Sequence, residues 1–408
     1  MKIIKKTRSI CPKCFEELDA VVYEKDNEVY MEKECAKHGK FDVLIEKDAK
    51  LYNKLMNNKV NNQQVTSRGI MLPFSRKCNL HCKVCYLPYK KKELSLKHFK
   101  QLISNFDGNH VWISGGEPTL RHDLVDLIRF VSKKRKMPIL ITDGIKLSDE
   151  NYVKKLKDAG LEMVHLSLNA LDKDLLRKTD GKDVLDLKLK GLKNVQKNGI
   201  YTILSTTIIK GLNDNEIEKI FRYYLDNPDF ISELRIRGGA RIGRCSGIEA
   251  LCLSDMVKNV CDVINVPYKN IFKTFSKNRN PNSMPCKFVI SMFFQKHSGG
   301  IRLLFTEAFS KKDPKEFLKS GYPKILLGYN ILRHGGIRNL RVYLRDKILH
   351  KADVVMLQIH IRSWFTKHNL DLDELSYCRT KCLAEDGKIY SFCYSHVINE
   401  RVAKSRNL

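Results

Sequence analysis

Between residues 70 and 238, short apolar runs alternate with amphipathic stretches at a spacing that few folds accommodate. The runs are IMLPF (70–74), HVWIS (110–114), PILIT (138–142), MVHLSL (163–168), YTILSTTII (201–209) and ELRIRG (233–238). Helix-like patterns fill the intervals, one near 95–107 opening on Ser95 as a cap and another opening on Ser148. Strand and helix in strict turn argue for parallel βαβ units. Six such units suit an open barrel better than a closed eightfold one. The expected fold class is α/β: a partial (β/α)6 TIM-like barrel with a small N-terminal metal ribbon and a C-terminal α+β cysteine-containing extension. In parallel barrels the chemistry collects at the C-terminal ends of the strands.

Directly after the first run comes KCNLHCKVCY, which carries Cys78, Cys82 and Cys85 in a C-x3-C-x2-C array. Three thiolates hold three irons of a 4Fe–4S cubane and leave the fourth iron open to an exogenous ligand. Thiolate softness favours iron–sulfur over a hard cation. The alternative is a zinc site that borrows a distant fourth ligand. At the end of the second run stands ISGGEP (113–118). Gly115 and Gly116 let backbone approach a ligand closely, and Glu117 accepts hydrogen bonds from an ammonium group. Alone this triplet is weak evidence; one strand after the cysteine array it is strong.

Other cysteines flank this region. Cys11, Cys14, Cys35 and His38 in segment 1–56 have the paired-knuckle spacing of a closed Cys₃His site. Zinc is the first expectation, with rubredoxin-like iron second. A polar linker follows at 57–69, then the barrel at 70–244 and a less regular extension at 245–408. In the extension, Cys286, Cys378, Cys382 and Cys393 make a ligand set for a second, auxiliary 4Fe–4S cluster. Otherwise some of them are core thiols, as Cys252 and Cys261 are expected to be. Cys245 is a substitute ligand. An apolar stretch, 322–332, and a basic helical-looking one, 335–361, suit either a phospholipid site or plain core helix.

The chain has 408 residues, 13 cysteines and a formal net charge of +28. No apolar run reaches the eighteen or so residues of a membrane helix, and the first residues lack a signal-peptide pattern, so a cytoplasmic setting is expected. In a reducing compartment clustered cysteines point to metals or redox chemistry. The positive field attracts nucleic acid, an anionic membrane surface or an anionic substrate, although dispersed lysines also reflect plain composition. No aromatic-interleaved RNA-binding motif accompanies it.

KCNLHCKVCY followed by SGGEPTLR resembles the radical S-adenosylmethionine (SAM) superfamily. The resemblance implies SAM chelated to the open iron of the cluster on Cys78, Cys82 and Cys85. It implies reductive cleavage to a 5′-deoxyadenosyl radical that abstracts hydrogen from an unactivated C–H bond. Gly115, Gly116 and Glu117 then bind the methionyl amino group, with Ser167, Asn169, Thr207 and Arg235 or Arg237 as further SAM contacts. The ribbon, barrel and cysteine tail in this order resemble the branch of archaeal tetraether lipid synthase and of methyltransferases proposed for methanopterin-type pterins. That branch implies a small-molecule or lipid substrate, carbon–carbon coupling or one-carbon transfer, and a low-potential donor such as ferredoxin or flavodoxin. It leaves open peripheral membrane contact. Radical modification of RNA or a peptide is the alternative; a non-enzymatic metal-stabilised module fits poorly because every cluster cysteine and Glu117 are present. Thr142-Asp143-Gly144 departs from the Thr-Asn-Gly frequent in such proteins.

Overall fold

A computed structural model describes residues 1–57, 69–87, 93–241, 243–245, 248–249, 251–272, 284–297, 300–308, 340, 344, 354–384 and 387–405. The linker expected over 57–69, apart from its two ends, lies outside the described residues, as do 322–332 and most of 335–361.

The N-terminal segment is a four-stranded antiparallel meander: β1 (Lys2–Ile10), β2 (Glu17–Lys25), β3 (Glu28–Cys35) and β4 (Gly39–Glu46). Asp26 and Asn27 both take positive φ, 51° and 62°, as the two-residue turn matching strand twist requires. Ala20, Val22, Val29 and Met31 pack against Ala49 and Tyr52 of α1 (Ala49–Asn57).

The alternating runs form parallel strands that neighbour one another in chain order: β5 (Gly69–Ser75), β6 (His110–Gly115), β7 (Met137–Thr142), β8 (Met163–Ser167), β9 (Tyr201–Ile208) and β10 (Ile231–Gly238). The connecting helices include α2 (Leu96–Ser104), α3 (Leu124–Lys133), α4 (Glu150–Asp158), α5 (Lys173–Asp180), α6 (Leu185–Lys197) and α7 (Ile217–Asp226). Ser95 caps α2 by accepting from the His98 amide. Before α4 the cap is Asp149, not Ser148. Ser148 closes a short 3₁₀ turn that buries Leu147, and the Asp149 carboxylate takes the Asn151 and Tyr152 amides.

Strand alternation divides each side chain set between two faces. On β10, Leu234 and Ile236 join the core beneath the helices, while Glu233, Arg235 and Arg237 point the other way, into the barrel. Low in the barrel Ile139, Met163 and Ile203 pack with Trp112.

The extension is not a separate layer. Strand β13 (Val354–Arg362) pairs parallel with β10, and β14 (Thr380–Leu383) pairs parallel with β5. Both outer edges of the six-stranded array are thus lengthened by strands from the C-terminal part. Antiparallel β11 (Lys287–His297) and β12 (Gly300–Ala308) continue beyond β13, and β15 (Ile389–Ser391) beyond β14. Residues 354–361, expected within a helical stretch, are strand. Leu357, Ile359 and Ile361 face the helix-side core while Gln358 and His360 do not, a period of two.

The ribbon docks on this extension. Lys5 pairs with Asp371 and Glu374, Thr7 donates to Asp371, and Ser9 donates to the Leu370 carbonyl. Burial pushes the Lys33 ammonium down to about 8, where it donates to Ser9 and the His368 carbonyl. Glu46, also buried, accepts from the Ser254 hydroxyl and amide. Among the described residues no helix is long and apolar enough to cross a membrane.

Candidate functional site

A cavity of about 1290 Å³ opens at the C-terminal ends of the barrel strands. The loop after β5 carries Cys78, Cys82 and Cys85 along its wall, and Gly115, Gly116 and Glu117 after β6 face them. The two loops touch. The Gly116 amide donates to the Ser75 carbonyl (2.7 Å) and the Glu117 amide to the Lys77 carbonyl (2.8 Å). A Cβ on Gly116 would stand 2.2 Å from the Lys77 oxygen, and one on Gly115, whose φ is +120°, 2.1 Å from the Ser75 oxygen. Only glycine permits this approach.

The cysteine loop is anchored from three sides. His81 and Lys83 amides donate to the carbonyls of Asp180 and Thr179, and Arg244 donates to the Cys82 carbonyl. The Cys245 thiol donates to the Lys83 carbonyl (3.4 Å), so this residue braces the loop rather than standing in for a ligand. Burial pushes the Cys82 thiol well up and that of Cys78 up as well. Such thiols ionise when a cation is bound to them. Three cysteines on one anchored loop, lining a cavity, fit a cubane with one open iron.

Glu117 is buried at 1% exposure. One of its oxygens accepts from the Thr119 amide and hydroxyl and from Thr142 Oγ1; the other accepts from the Asp143 amide. Burial, with the Asp143 charge adding, pushes its carboxyl up to about 7. Asp143 lines the same cavity at 9% exposure, and its Oδ2 has no hydrogen-bond partner. The pair places two carboxyl groups side by side on the cavity wall.

Ser167, Asn169, Thr207 and Arg237 also line the cavity, at the ends of β8, β9 and β10. Asn169 is fully engaged by protein: its amide donates to Asp180 Oδ1 (2.7 Å) and its oxygen accepts from the Thr207 amide (2.9 Å). Asp180 in turn holds Lys188 Nζ at 2.8 Å, and Lys188 also donates to the Ser167 carbonyl. This buried network was missed by sequence reasoning. Arg235 does not line the cavity. It lies lower, paired with Glu233 at 2.8 Å and stacked over Trp112. Arg237 Nη2 sits 3.2 Å from His165 Nε2. Tyr86 lines the cavity within an aromatic group of Trp364, Phe392 and His396.

In the ribbon, Cys14 and Cys35 sulfurs are 3.8 Å apart, and His38 Nδ1 is 3.5 Å from Cys11 Sγ and 3.4 Å from Cys35 Sγ. A tetrahedral zinc, with bonds of about 2.3 Å to sulfur and about 2.0 Å to nitrogen, spaces its donors about 3.5–3.8 Å apart. The four groups fit zinc, and the imidazole disfavours an all-thiolate iron site. Among the described residues, these are the donors that converge within 4.8 Å.

The structure brings together three of the four extension cysteines. Cys286, Cys378 and Cys393 pack around one core with Ile10, Phe15 and Leu375. Burial, then the neighbouring Cys286 and Cys378, push the Cys393 thiol well up. Cys382 is not part of that core; it lies on β14 in register with Met71 and Tyr390. On helix α8 (Leu253–Val263) Cys261 is a core thiol, while Cys252 stands half-buried at the N-cap.

Residues 72–224 match the radical SAM superfamily model, and residues 3–47 match the HMPTM N-terminal zinc ribbon domain. Over 273 residues the chain is 30% identical to a 7,8-dihydro-6-hydroxymethylpterin dimethyltransferase of Methanocaldococcus jannaschii, covering 59% of this chain and 54% of that protein. A probable GTP 3′,8-cyclase of Pyrococcus abyssi is 29% identical over 38% of this chain and 52% of its own length. The chain spans about half the length of these curated relatives. Streptococcus suis SuiB bound to S-adenosylmethionine is similar at a TM-score of 0.44 with 18% identity, covering 49% of this chain and 48% of that one.

Proposed function

The chain carries a radical SAM superfamily domain behind an HMPTM N-terminal zinc ribbon, and on that premise we propose that it cleaves SAM reductively to a 5′-deoxyadenosyl radical that takes hydrogen from an unactivated C–H bond of a small molecule, in methyl or one-carbon transfer to a pterin-type ring. The observation carrying this reading is the cavity that the cysteine loop shares with Glu117, Asn169 and Arg237. The pterin-type substrate is taken from the dimethyltransferase relative, and the aromatic wall at Tyr86 suits a flat ring.

Cys78, Cys82 and Cys85 would hold the cluster, which when bound with SAM supplies the electron and the radical. The chain's residues do the rest. Glu117 and Asp143 attract an ammonium, and the Asn169–Asp180–Lys188 network fixes the strand ends that face it. The barrel wall keeps water from a reactive carbon centre. A second cluster is proposed on Cys286, Cys378 and Cys393. A low-potential donor of the ferredoxin or flavodoxin type supplies electrons.

The test is anaerobic reconstitution with iron and sulfide, then SAM and dithionite, comparing the native chain with Cys82→Ala. About eight irons, about one zinc and 5′-deoxyadenosine that vanishes in the variant are expected. About four irons would remove the second cluster. A loaded cluster yielding no 5′-deoxyadenosine, even with cell extract supplying substrate, would overturn the activity.

A further inference from the structure

Three strands turn basic side chains to one place beside the cavity. Parallel pairing sets Arg237 of β10 against Arg362 of β13, and antiparallel pairing sets Arg362 against Lys287 of β11. All three stand at the C-terminal end of the barrel, and Arg237 lines the cavity itself. Each is only partly exposed.

Among the described residues, Glu233 is the carboxylate whose charge reaches Arg362 and Lys287. Glu233, one layer deeper, is committed to Arg235. Burial opposes its ionisation, but Arg235, with Arg362 adding, outweighs that and holds its carboxyl down at about 2. Arg237 meets the imidazole of His165 and the phenol of Tyr86, and among the described residues Arg362 Nε is buried without a partner. Among the described residues no carboxylate pairs with Arg237, Arg362 or Lys287. His165 and His360 are held neutral by burial and by these same cations. Uncompensated buried cations are costly, and an enclosed site of this kind is stabilised by an anion. Two guanidinium forks beside one ammonium suit an oxyanion with several acceptor oxygens.

We propose that Arg237, Arg362 and Lys287 form the anchoring subsite for a phosphate or diphosphate group of the substrate, so that the substrate is a phosphorylated small molecule. This rests on the barrel cavity being the reaction site proposed above. It goes beyond that reading, because a hydroxymethyl pterin alone has no group for three cations. Part of the +28 charge thereby gains a specific role.

Calorimetric titration of the reconstituted full chain with inorganic pyrophosphate tests it. The variants are Arg362→Gln, Arg362→Lys, Lys287→Met and, as a surface control, Arg222→Gln, whose side chain pairs with Glu218 in solvent. One saturable site is expected, weakened at least about tenfold in Arg362→Gln and in Lys287→Met, partly kept in Arg362→Lys and unchanged in Arg222→Gln. Melting curves check folding, and Lys287→Met serves if Arg362→Gln fails to fold. Absent saturable binding, equal loss in Arg222→Gln, tighter binding of succinate than of pyrophosphate, or loss of iron together with pyrophosphate in Arg362→Gln would each overturn it. The last result would make Arg362 a partner of the cysteine-held cluster. A chain that cleaves SAM yet ignores pyrophosphate sinks this inference alone; one that binds pyrophosphate but never cleaves SAM sinks the radical activity instead.

Discussion

The Lys188 ammonium lies 2.8 Å from the Asp180 carboxylate, with both side chains essentially shut off from solvent at 0% and 1% exposure. Burial disfavours the charged lysine, yet Asp180 more than compensates and raises its pKa. Removing one partner of such a pair strands the other charge. Lys188→Met should cost about 3–5 kcal/mol of stability, read by denaturant unfolding. Adding Asp180→Leu should restore much of that stability but not SAM affinity, because Asn169 loses the carboxylate to which its amide donates. Equal recovery of both properties would contradict the bracing role.

Gly116→Ala separates crowding from folding. The added methyl would sit 2.2 Å from the Lys77 carbonyl oxygen, next to Cys78. The barrel core is untouched, so the melting temperature should move little while iron retained after reconstitution falls by more than half. Metal analysis beside a thermal melt decides it.

Glu46 provides a pH signature at the contact between the ribbon and the extension. Burial pushes its carboxyl up from 4.5 to about 7, against the hydrogen bonds from Ser254. A raised carboxyl pKa means the folded state holds the proton more tightly. Its contribution is fully present below pH 4.5 and lost as pH rises through about 7. By pH 8 the loss is on the order of 3 kcal/mol. Glu46→Gln should therefore flatten the fall in stability between pH 5 and 8, seen as melting temperatures across that range.

Zinc removal should act locally. Chelation, or Cys35→Ser, should release about one zinc and expose the ribbon to limited proteolysis while SAM-dependent spectra of the barrel cluster persist. Loss of both together would show that the ribbon metal supports the barrel site.

What the sequence disclosed follows from locality. Cys78, Cys82, Cys85 and Gly115–Glu117 were legible because each motif is contiguous and its spacing is its chemistry. The six alternating strands were legible because their apolar periods are unbroken. Lys188 and Asp180 were not: a lysine on α6 and an aspartate ending α5 read as solvated charge, and only packing turns them inward. Strand β13 was hidden behind a basic stretch of helical appearance, and with it Arg362. Cys382 matched the spacing of its neighbours, but its strand pairing with Met71 and Tyr390 joins residues distant in sequence and was not legible.

The ribbon's partners have a consequence for biosynthesis. Lys5, Thr7 and Ser9 rest on Leu370, Asp371 and Glu374, more than 360 positions later in the chain. At about 5–20 residues per second, a ribosome needs about 20–70 s to go from the ribbon to its docking surface. Throughout that interval the nascent ribbon is on its own, its Lys33 side still wet. A metal on Cys11, Cys14, Cys35 and His38 would then keep the earlier-made segment in shape until the later-made one covers it.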